Sequence, residues 1–108
     1  MDLNLAGKKA LITGASKGIG LAIAKRFAIE GCSVVLVARS KDDLKQAQRD
    51  ILKTDQSVGV DYRAADLSKT SEVNALAKEQ ADIDILVNNA GAIPAGNINR
   101  VDEVTWRE

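Results

Sequence analysis

Residues 8–20 read KKALITGASKGIG, in which an apolar segment runs into a glycine-spaced turn and then into a helix. Residues 10–12 (ALI) predict a buried central strand, and the turn carries Gly14, Gly18 and Gly20. Because glycine has no Cβ, the backbone of such a turn can approach a ligand closely. A helix that begins there presents unpaired N–H groups and a partial positive charge, which together bind phosphate. The stretch therefore predicts a strand, a phosphate-binding turn and a helix, in that order.

The glycine spacing narrows the kind of nucleotide site. The general dinucleotide fingerprint is G-x-G-x-x-G, whereas this turn has the spacing G-x-x-x-G-x-G. A P-loop is disfavoured because Lys17 precedes Gly18, and no Gly-Lys-Ser/Thr follows the first glycine at the required distance. From this motif alone, a glycine-rich turn that binds no ligand remains the alternative interpretation.

The composition is that of an ordinary globular protein with one domain. The chain has 108 residues, of which 45% are hydrophobic and 28% are charged. Its 15 basic and 15 acidic residues cancel, so no overall field attracts nucleic acid or an anionic membrane. The sequence shows no apolar leader and no run of the roughly 18 residues that span a bilayer. We therefore expect a cytoplasmic protein without nucleic-acid or membrane partners.

Residue types also exclude several catalytic classes. Histidine is absent and Cys32 is the single cysteine, which removes the usual zinc sets, the Ser-His-Asp triad and the Cys-His dyad. No metal site is expected. Cys32 lies just before an apolar segment and is predicted to be a buried thiol rather than a reactive one.

Strands and helices alternate along the chain. Helices are predicted over residues 18–31, 40–53 and 70–80, with another beginning over 102–108. After the first strand, further strands are predicted over residues 33–38, about 58–64 and 83–87, followed by a loop over 92–100. This alternation predicts an α/β fold with a doubly wound parallel sheet, in the strand order 3-2-1-4 for the part present.

Two features of the helices are predicted in more detail. In the first helix, Ile19, Ile23 and Phe27 recur at every fourth position, which predicts that they share one face. Ser40 stands three residues before Asp43, a spacing typical of a helix N-cap.

Each predicted strand is followed by a segment that suits ligand binding. Residues 14–20 follow the first strand, Arg39 the second, Asp66 the third, and residues 88–91 (NNAG) the fourth. Taken singly, the arginine could be a solvated charge, the aspartate a helix cap, and the asparagines a turn. Ligands bind outside the carboxyl ends of the strands where the winding reverses. Together, the four segments therefore predict one site.

Three motifs in this order resemble the short-chain dehydrogenase/reductase family. They are residues 13–20 (TGASKGIG), 66–67 (DL) and 84–91 (DILVNNAG), and the resemblance covers essentially the whole chain. It implies a Rossmann-type domain whose N-terminal, cofactor-binding part is residues 1–108. It also implies an oxidoreductase that transfers hydride between a nicotinamide cofactor and a carbonyl or alcohol substrate, usually as a dimer or tetramer.

The resemblance also implies cofactor-binding roles for individual residues. Those that would line the pyrophosphate and adenosine side are Gly14, Ser16, Lys17, Gly18 and Ile19. Those that would contact adenine are Asp66 and Leu67. Those that would lie against the ribose and the path toward nicotinamide are Asn89, Ala90 and Gly91, while Asn88 chiefly ties neighbouring strands together.

Charge predicts NADP rather than NAD as the cofactor. An NAD site carries a carboxylate at the end of the second strand, which accepts from the ribose hydroxyls and repels a 2′-phosphate. Here Arg39 and Ser40 stand at that position, and Lys17 can reach the same phosphate from the glycine turn. Asp42 and Asp43 would weaken a phosphate site if they turned inward, but we expect them to cap the following helix.

The catalytic part of the family's pattern is missing from these residues. The family uses a Tyr with a Lys four residues later, together with a Ser and usually an Asn. The single tyrosine here is Tyr62, with Asp66 four residues later, so we expect a core or sheet-surface role for it. We expect the catalytic half to follow Glu108 and no catalytic residue in this chain.

Two further expectations concern the chain by itself. Without a fifth strand, the apolar edge of the fourth strand would be open to solvent or to another chain, and self-association is expected. A non-catalytic dinucleotide-binding module and an inactive fragment remain the alternatives to an oxidoreductase.

Overall fold

The computed structural model describes residues 6–54, 58–89 and the backbone of residues 102–104. Within these residues, the strands are β1 (Lys9–Thr13), β2 (Ser33–Ala38), β3 (Val60–Ala64), β4 (Ile85–Val87) and β5 (Asp102–Val104). The helices are α1 (Gly18–Ile29), α2 (Lys41–Thr54) and α3 (Thr70–Glu79). The strands form one sheet in the order β3-β2-β1-β4-β5, and every pairing is parallel. The predicted α/β fold and the order 3-2-1-4 are confirmed.

Side chains of the central strands are buried on both faces of the sheet. On one face, Ile12 and Leu36 pack in a cluster with residues of α1 and α2. On the other face, Leu11 and Val35 pack with Leu76 of α3. This two-sided burial explains the nearly continuous apolar sequences of β1 and β2, because parallel strands covered by helices have no solvent face.

The buried face of α1 differs from the predicted one. Phe27 is buried and Ile23 is partly buried against the core, but Ile19 is 45% exposed. Small residues, Gly20 and Ala24, are buried instead. The helix begins so close to the turn after β1 that only a residue without a bulky side chain fits under its first turn.

The end of α1 is set by a glycine. The N–H of Cys32 donates to the carbonyl of Phe27 over 3.0 Å, and the N–H of Gly31 donates to the carbonyl of Ala28 over 3.0 Å. Gly31 has a φ of 88°, so this is a Schellman motif, in which glycine adopts the left-handed conformation without strain. Cys32 is fully buried, and burial raises the pKa of its thiol, as expected for a residue that serves packing.

The segment 102–108 does not begin a helix at Asp102, so that prediction is wrong. Residues 102–104 form β5, which pairs with β4 in the register Ile85↔Asp102 to Val87↔Val104. The backbone N–H and C=O groups on the outer edge of β4 need partners, and a parallel strand supplies them. The predicted open edge of the fourth strand is therefore wrong as well.

Strand β4 begins two residues later than predicted. The N–H of Lys9 donates to the Asp84 carboxylate over 2.9 Å, and the N–H of Asp84 donates to the carbonyl of Lys9 over 2.8 Å. The side chain of Asp84 thus occupies a place that a ladder carbonyl would take. Among the described residues, none of the helices is both long and apolar enough to span a membrane.

Candidate functional site

A cavity of about 640 Å³ opens at the carboxyl ends of β1, β2 and β3. It is lined by the turn after β1 and by the segments that follow β2 and β3. A volume of this size lies within the range of small-molecule sites, which is about 300–1,000 Å³. Three of the four segments that the sequence predicted to converge therefore share one cavity.

The turn after β1 leads into a helix start that no side chain caps. Gly14 and Gly18 have φ values of 63° and 62°, a conformation that only glycine adopts readily. The N-cap residue of α1, Lys17, makes no side-chain capping hydrogen bond, and the first turn of the helix contains no acidic residue. The unpaired N–H groups and the partial positive charge of this helix end are therefore not neutralised by the helix itself.

At Gly20 the first turn of α1 lies directly against the turn that follows β1. A Cβ at this position would overlap the carbonyl group of Gly14 and come within 2.8 Å of Nδ2 of Asn89. Nδ2 of Asn89 itself donates to the carbonyl of Gly14 over 3.4 Å. The third glycine of the motif is thus required by packing between the helix, the turn and the segment after β4.

Thr13 links the ends of β1 and β4. Its buried hydroxyl has one proton and two acceptors within reach, the carbonyl of Val87 at 3.4 Å and Oδ1 of Asn88 at 3.3 Å. The same oxygen accepts from the N–H of Asn89 over 2.9 Å. These bonds support the expected role of Asn88 in tying neighbouring strands together, and they fix the position of Asn89 beside the glycine turn.

Two cations line the cavity, and so do two carboxylates, those of Asp43 and Asp66. Lys17, Arg39 and Asp43 all line the cavity. Among the described residues, neither Lys17 nor Arg39 forms an ion pair. Ser40 caps α2, because its Oγ accepts from the N–H of Asp43 over 3.2 Å, and its hydroxyl proton stays available to a ligand. The predicted N-cap is confirmed.

Asp66 is held in one orientation after β3. Its Oδ1 accepts from the hydroxyl of Ser68 over 2.7 Å and from the N–H of Ser68 over 3.0 Å, and its own N–H donates to Oε1 of Glu72 over 2.8 Å. The two bonds from Ser68 keep the pKa of Asp66 below its usual value, with smaller help from the charges of Lys69 and Arg39. Asp66 is therefore an ionised acceptor at neutral pH.

Replacing Ser68 with alanine is expected to raise the pKa of Asp66 toward its ordinary value, because the bond from the Ser68 hydroxyl is the largest cause of the shift. A depressed native pKa stabilises the fold above the unfolded pKa, and this contribution is lost as the pH falls through the native pKa. Ser68→Ala should therefore lower stability at neutral pH and match the parent chain in strong acid.

The pKa of Asp66 is measured by a carbon-detected NMR titration of its carboxyl group. Stability is measured by urea unfolding at neutral pH and in strong acid. Ser71→Ala is the matched control, since Ser71 is exposed on α3 and makes no hydrogen bond to Asp66. An unchanged Asp66 pKa in Ser68→Ala would show that the hydroxyl does not control this carboxylate.

The structure places the predicted cofactor-binding residues in three groups. Those that line the cavity are Gly14, Ser16, Lys17, Arg39, Ser40, Asp66 and Leu67. Those that lie outside its lining are Gly18, Ile19 and Asn89. Ala90 and Gly91 lie outside the described residues, as do the predicted loop over 92–100 and Trp106. The binding roles of all these residues stay predictions.

Sequence reasoning did not assign five lining residues to the site. They are Val37, Ala38, Asp43, Ala65 and Ser68. Val37 and Ala65 are buried strand-end residues whose sequence pattern is indistinguishable from that of the core. For Ser68, the Asp-x-Ser spacing was a usable signal, because an aspartate side chain often accepts from the backbone N–H two residues later.

Comparisons with known proteins agree with this architecture. A family model described as short chain dehydrogenase matches residues 8–108. The uncharacterized oxidoreductase YvaG of Bacillus subtilis is 39% identical over 107 residues, which are 98% of this chain and 40% of that protein.

Two solved structures are similar in both fold and sequence. L-sorbose reductase from Gluconobacter frateurii, in complex with NADPH and L-sorbose, has a TM-score of 0.76 and 45% identity, covering 85% of this chain and 36% of that one. An alcohol dehydrogenase from Thermococcus sibiricus, complexed with 5-hydroxy-NADP, has a TM-score of 0.70 and 41% identity, covering 78% and 37%.

The chain thus spans between 36% and 40% of the length of these three proteins. The family model nevertheless extends over nearly all of its residues, and the sheet order is the one that the glycine turn and the later motifs predicted. The chain belongs to the short-chain dehydrogenase family.

Proposed function

We propose that residues 1–108 are the cofactor-binding part of an oxidoreductase that transfers hydride between NADP(H) and a carbonyl or alcohol substrate. The observation that carries the proposal is that Lys17 and Arg39 line the same cavity. Among the described residues, neither of them has an ion-pair partner. No carboxylate occupies residues 38–40, where β2 ends. Two such cations suit a phosphate better than a ribose hydroxyl.

The residues present fit a phosphorylated dinucleotide. The uncapped start of α1, with the glycine turn before it, suits the pyrophosphate. Lys17, Arg39 and the hydroxyl of Ser40 suit a 2′-phosphate, since all three line the cavity. The oriented carboxylate of Asp66 would accept from the adenine amine, and Leu67 would pack against the ring. When bound, the cofactor supplies the hydride acceptor or donor.

The described residues bind and orient but provide no candidate for the proton relay. Tyr62 lies on β3 and packs against the core cluster on the side of α1 and α2, which agrees with the expected sheet-surface role. We therefore propose that the 108 residues alone are inactive in hydride transfer. The lack of a proton-relay candidate among the described residues also favours a second candidate function, a non-catalytic dinucleotide-binding module.

The two candidates differ in what the complete encoded protein does. An oxidoreductase would contain a Tyr-x-x-x-Lys motif and would turn over NADPH with carbonyl substrates, whereas a binding module would do neither. As further parts of the proposal, the protein is a cytoplasmic homo-oligomer, with a dimer or tetramer as the expected state.

Titration of the chain with NADPH and NADH, followed by nicotinamide fluorescence, tests the proposal. NADPH should bind at least about tenfold more tightly, because one charge-assisted hydrogen bond contributes about 1.5–3 kcal/mol. Equal affinity for the two cofactors would refute the NADP assignment, and binding of neither would refute the cofactor site itself.

A further inference from the structure

Besides Asp66, which is held by its bonds from Ser68, a second carboxylate lines the cavity together with the two cations. Asp43 lies in the first turn of α2 and lines the cavity together with Lys17 and Arg39. Its neighbour Asp42 lies in the same helical turn but does not line the cavity. Both acidic residues lie in the first turn of α2, but the capping hydrogen bond there comes from Ser40 and not from either aspartate, and Asp43 also lines the cavity.

A hydrogen bond from its backbone N–H fixes the position of Asp43 and leaves its carboxylate able to interact with a ligand. Its N–H donates to Oγ of Ser40 over 3.2 Å, which anchors the residue at the helix start. Among the described residues its carboxylate makes no hydrogen bond and no ion pair. Asp82, in contrast, pairs with Lys9 over 3.0 Å. The negative charge of Asp43 thus acts on whatever occupies the cavity.

We propose that Asp43 is a specificity-determining residue that limits the preference of this site for NADP over NAD. The inference rests on the proposed function, since it concerns the same cavity. A 2′-phosphate near Lys17 and Arg39 would be repelled by this carboxylate, whereas ribose hydroxyls can donate to one. The two cations favour the phosphorylated cofactor, and Asp43 reduces the difference in affinity between NADPH and NADH. NADH therefore also binds measurably.

The test compares Asp43→Asn with Asp42→Asn as the matched control. Both variants remove one carboxylate from the first turn of α2, so both lose the same interaction with the helix dipole. Only Asp43→Asn removes a charge from the cavity lining. NADPH and NADH affinities of both variants and of the parent chain are measured by nicotinamide fluorescence, at low and at high salt.

Asp43→Asn should tighten NADPH binding by about two- to fivefold, the range of an exposed charge pair, without tightening NADH binding. The gain should shrink at high salt, because salt screens the repulsion. Asp42→Asn should leave the ratio of the two affinities unchanged. An unchanged ratio in Asp43→Asn, or an equal change in Asp42→Asn, overturns this inference alone. Failure of the parent chain to bind either cofactor overturns the proposed function, and this inference with it.

Discussion

Replacing Arg39 with alanine is expected to weaken NADPH binding by about ten- to a hundredfold, while NADH binding changes by less than about threefold. Arg39 lines the cavity and has no ion-pair partner among the described residues, so its guanidinium is available for a 2′-phosphate. NADH lacks that phosphate and loses no contact. The two affinities are measured by nicotinamide fluorescence at one fixed ionic strength.

Arg49→Ala is the control for this experiment. Arg49 is an exposed arginine on α2 and does not line the cavity, so its removal changes the net charge equally. If Arg39→Ala weakened NADPH and NADH to the same extent, Arg39 would act through the general stability of the site. If Arg49→Ala had the same effect as Arg39→Ala, the loss of NADPH affinity would come from the change in net charge and not from a contact between Arg39 and the phosphate.

Gly20→Ala is expected to lower the free energy of unfolding by about 3 kcal/mol, near the upper end of the usual cost of overpacking. The new Cβ would meet the backbone carbonyl of Gly14, which cannot move aside as a flexible side chain would. Because Gly14 belongs to the cavity lining, the displaced turn should also weaken NADPH binding. Urea unfolding followed by circular dichroism measures the first effect.

Gly59→Ala separates steric overlap from the general effect of adding a methyl group. A Cβ at Gly59 would lie 3.6 Å from Oγ of Ser33, an ordinary contact, and Gly59 has no positive φ. Its replacement should change stability by less than about 1 kcal/mol and can even stabilise the chain. Equal costs at Gly20 and Gly59 would contradict the close approach of α1 to the β1 turn.

The fold could be predicted from the sequence because its signals are local and periodic. The apolar sequences of β1 and β2 and the helix between them establish a parallel sheet buried on both faces. The positions of Gly14, Arg39 and Asp66 at equivalent strand ends then follow from topology. All three line the cavity, so their convergence was accessible without coordinates.

The errors arose where long-range packing outweighs local pattern. Residues 102–104 read as the start of a helix, but they pair with the edge of β4, a partner that lies far away in sequence. Ile19 fits the helical period of α1, yet it is exposed because Gly20 occupies the close approach to the turn. Asp43 lies in the first turn of α2 and also lines the cavity, and the sequence alone left open which of the two acidic residues faces the site.

The central claim, that the ends of β1, β2 and β3 form one site for a phosphorylated dinucleotide, is tested most directly by amide NMR mapping during a titration with NADPH. The largest shifts should fall on Gly14, Lys17, Arg39 and Ser68, which share the cavity. The amide of Lys9, where β1 begins at the other end of the strand, should not move. Shifts concentrated around Lys9, or none around the cavity at saturating NADPH, would contradict the account.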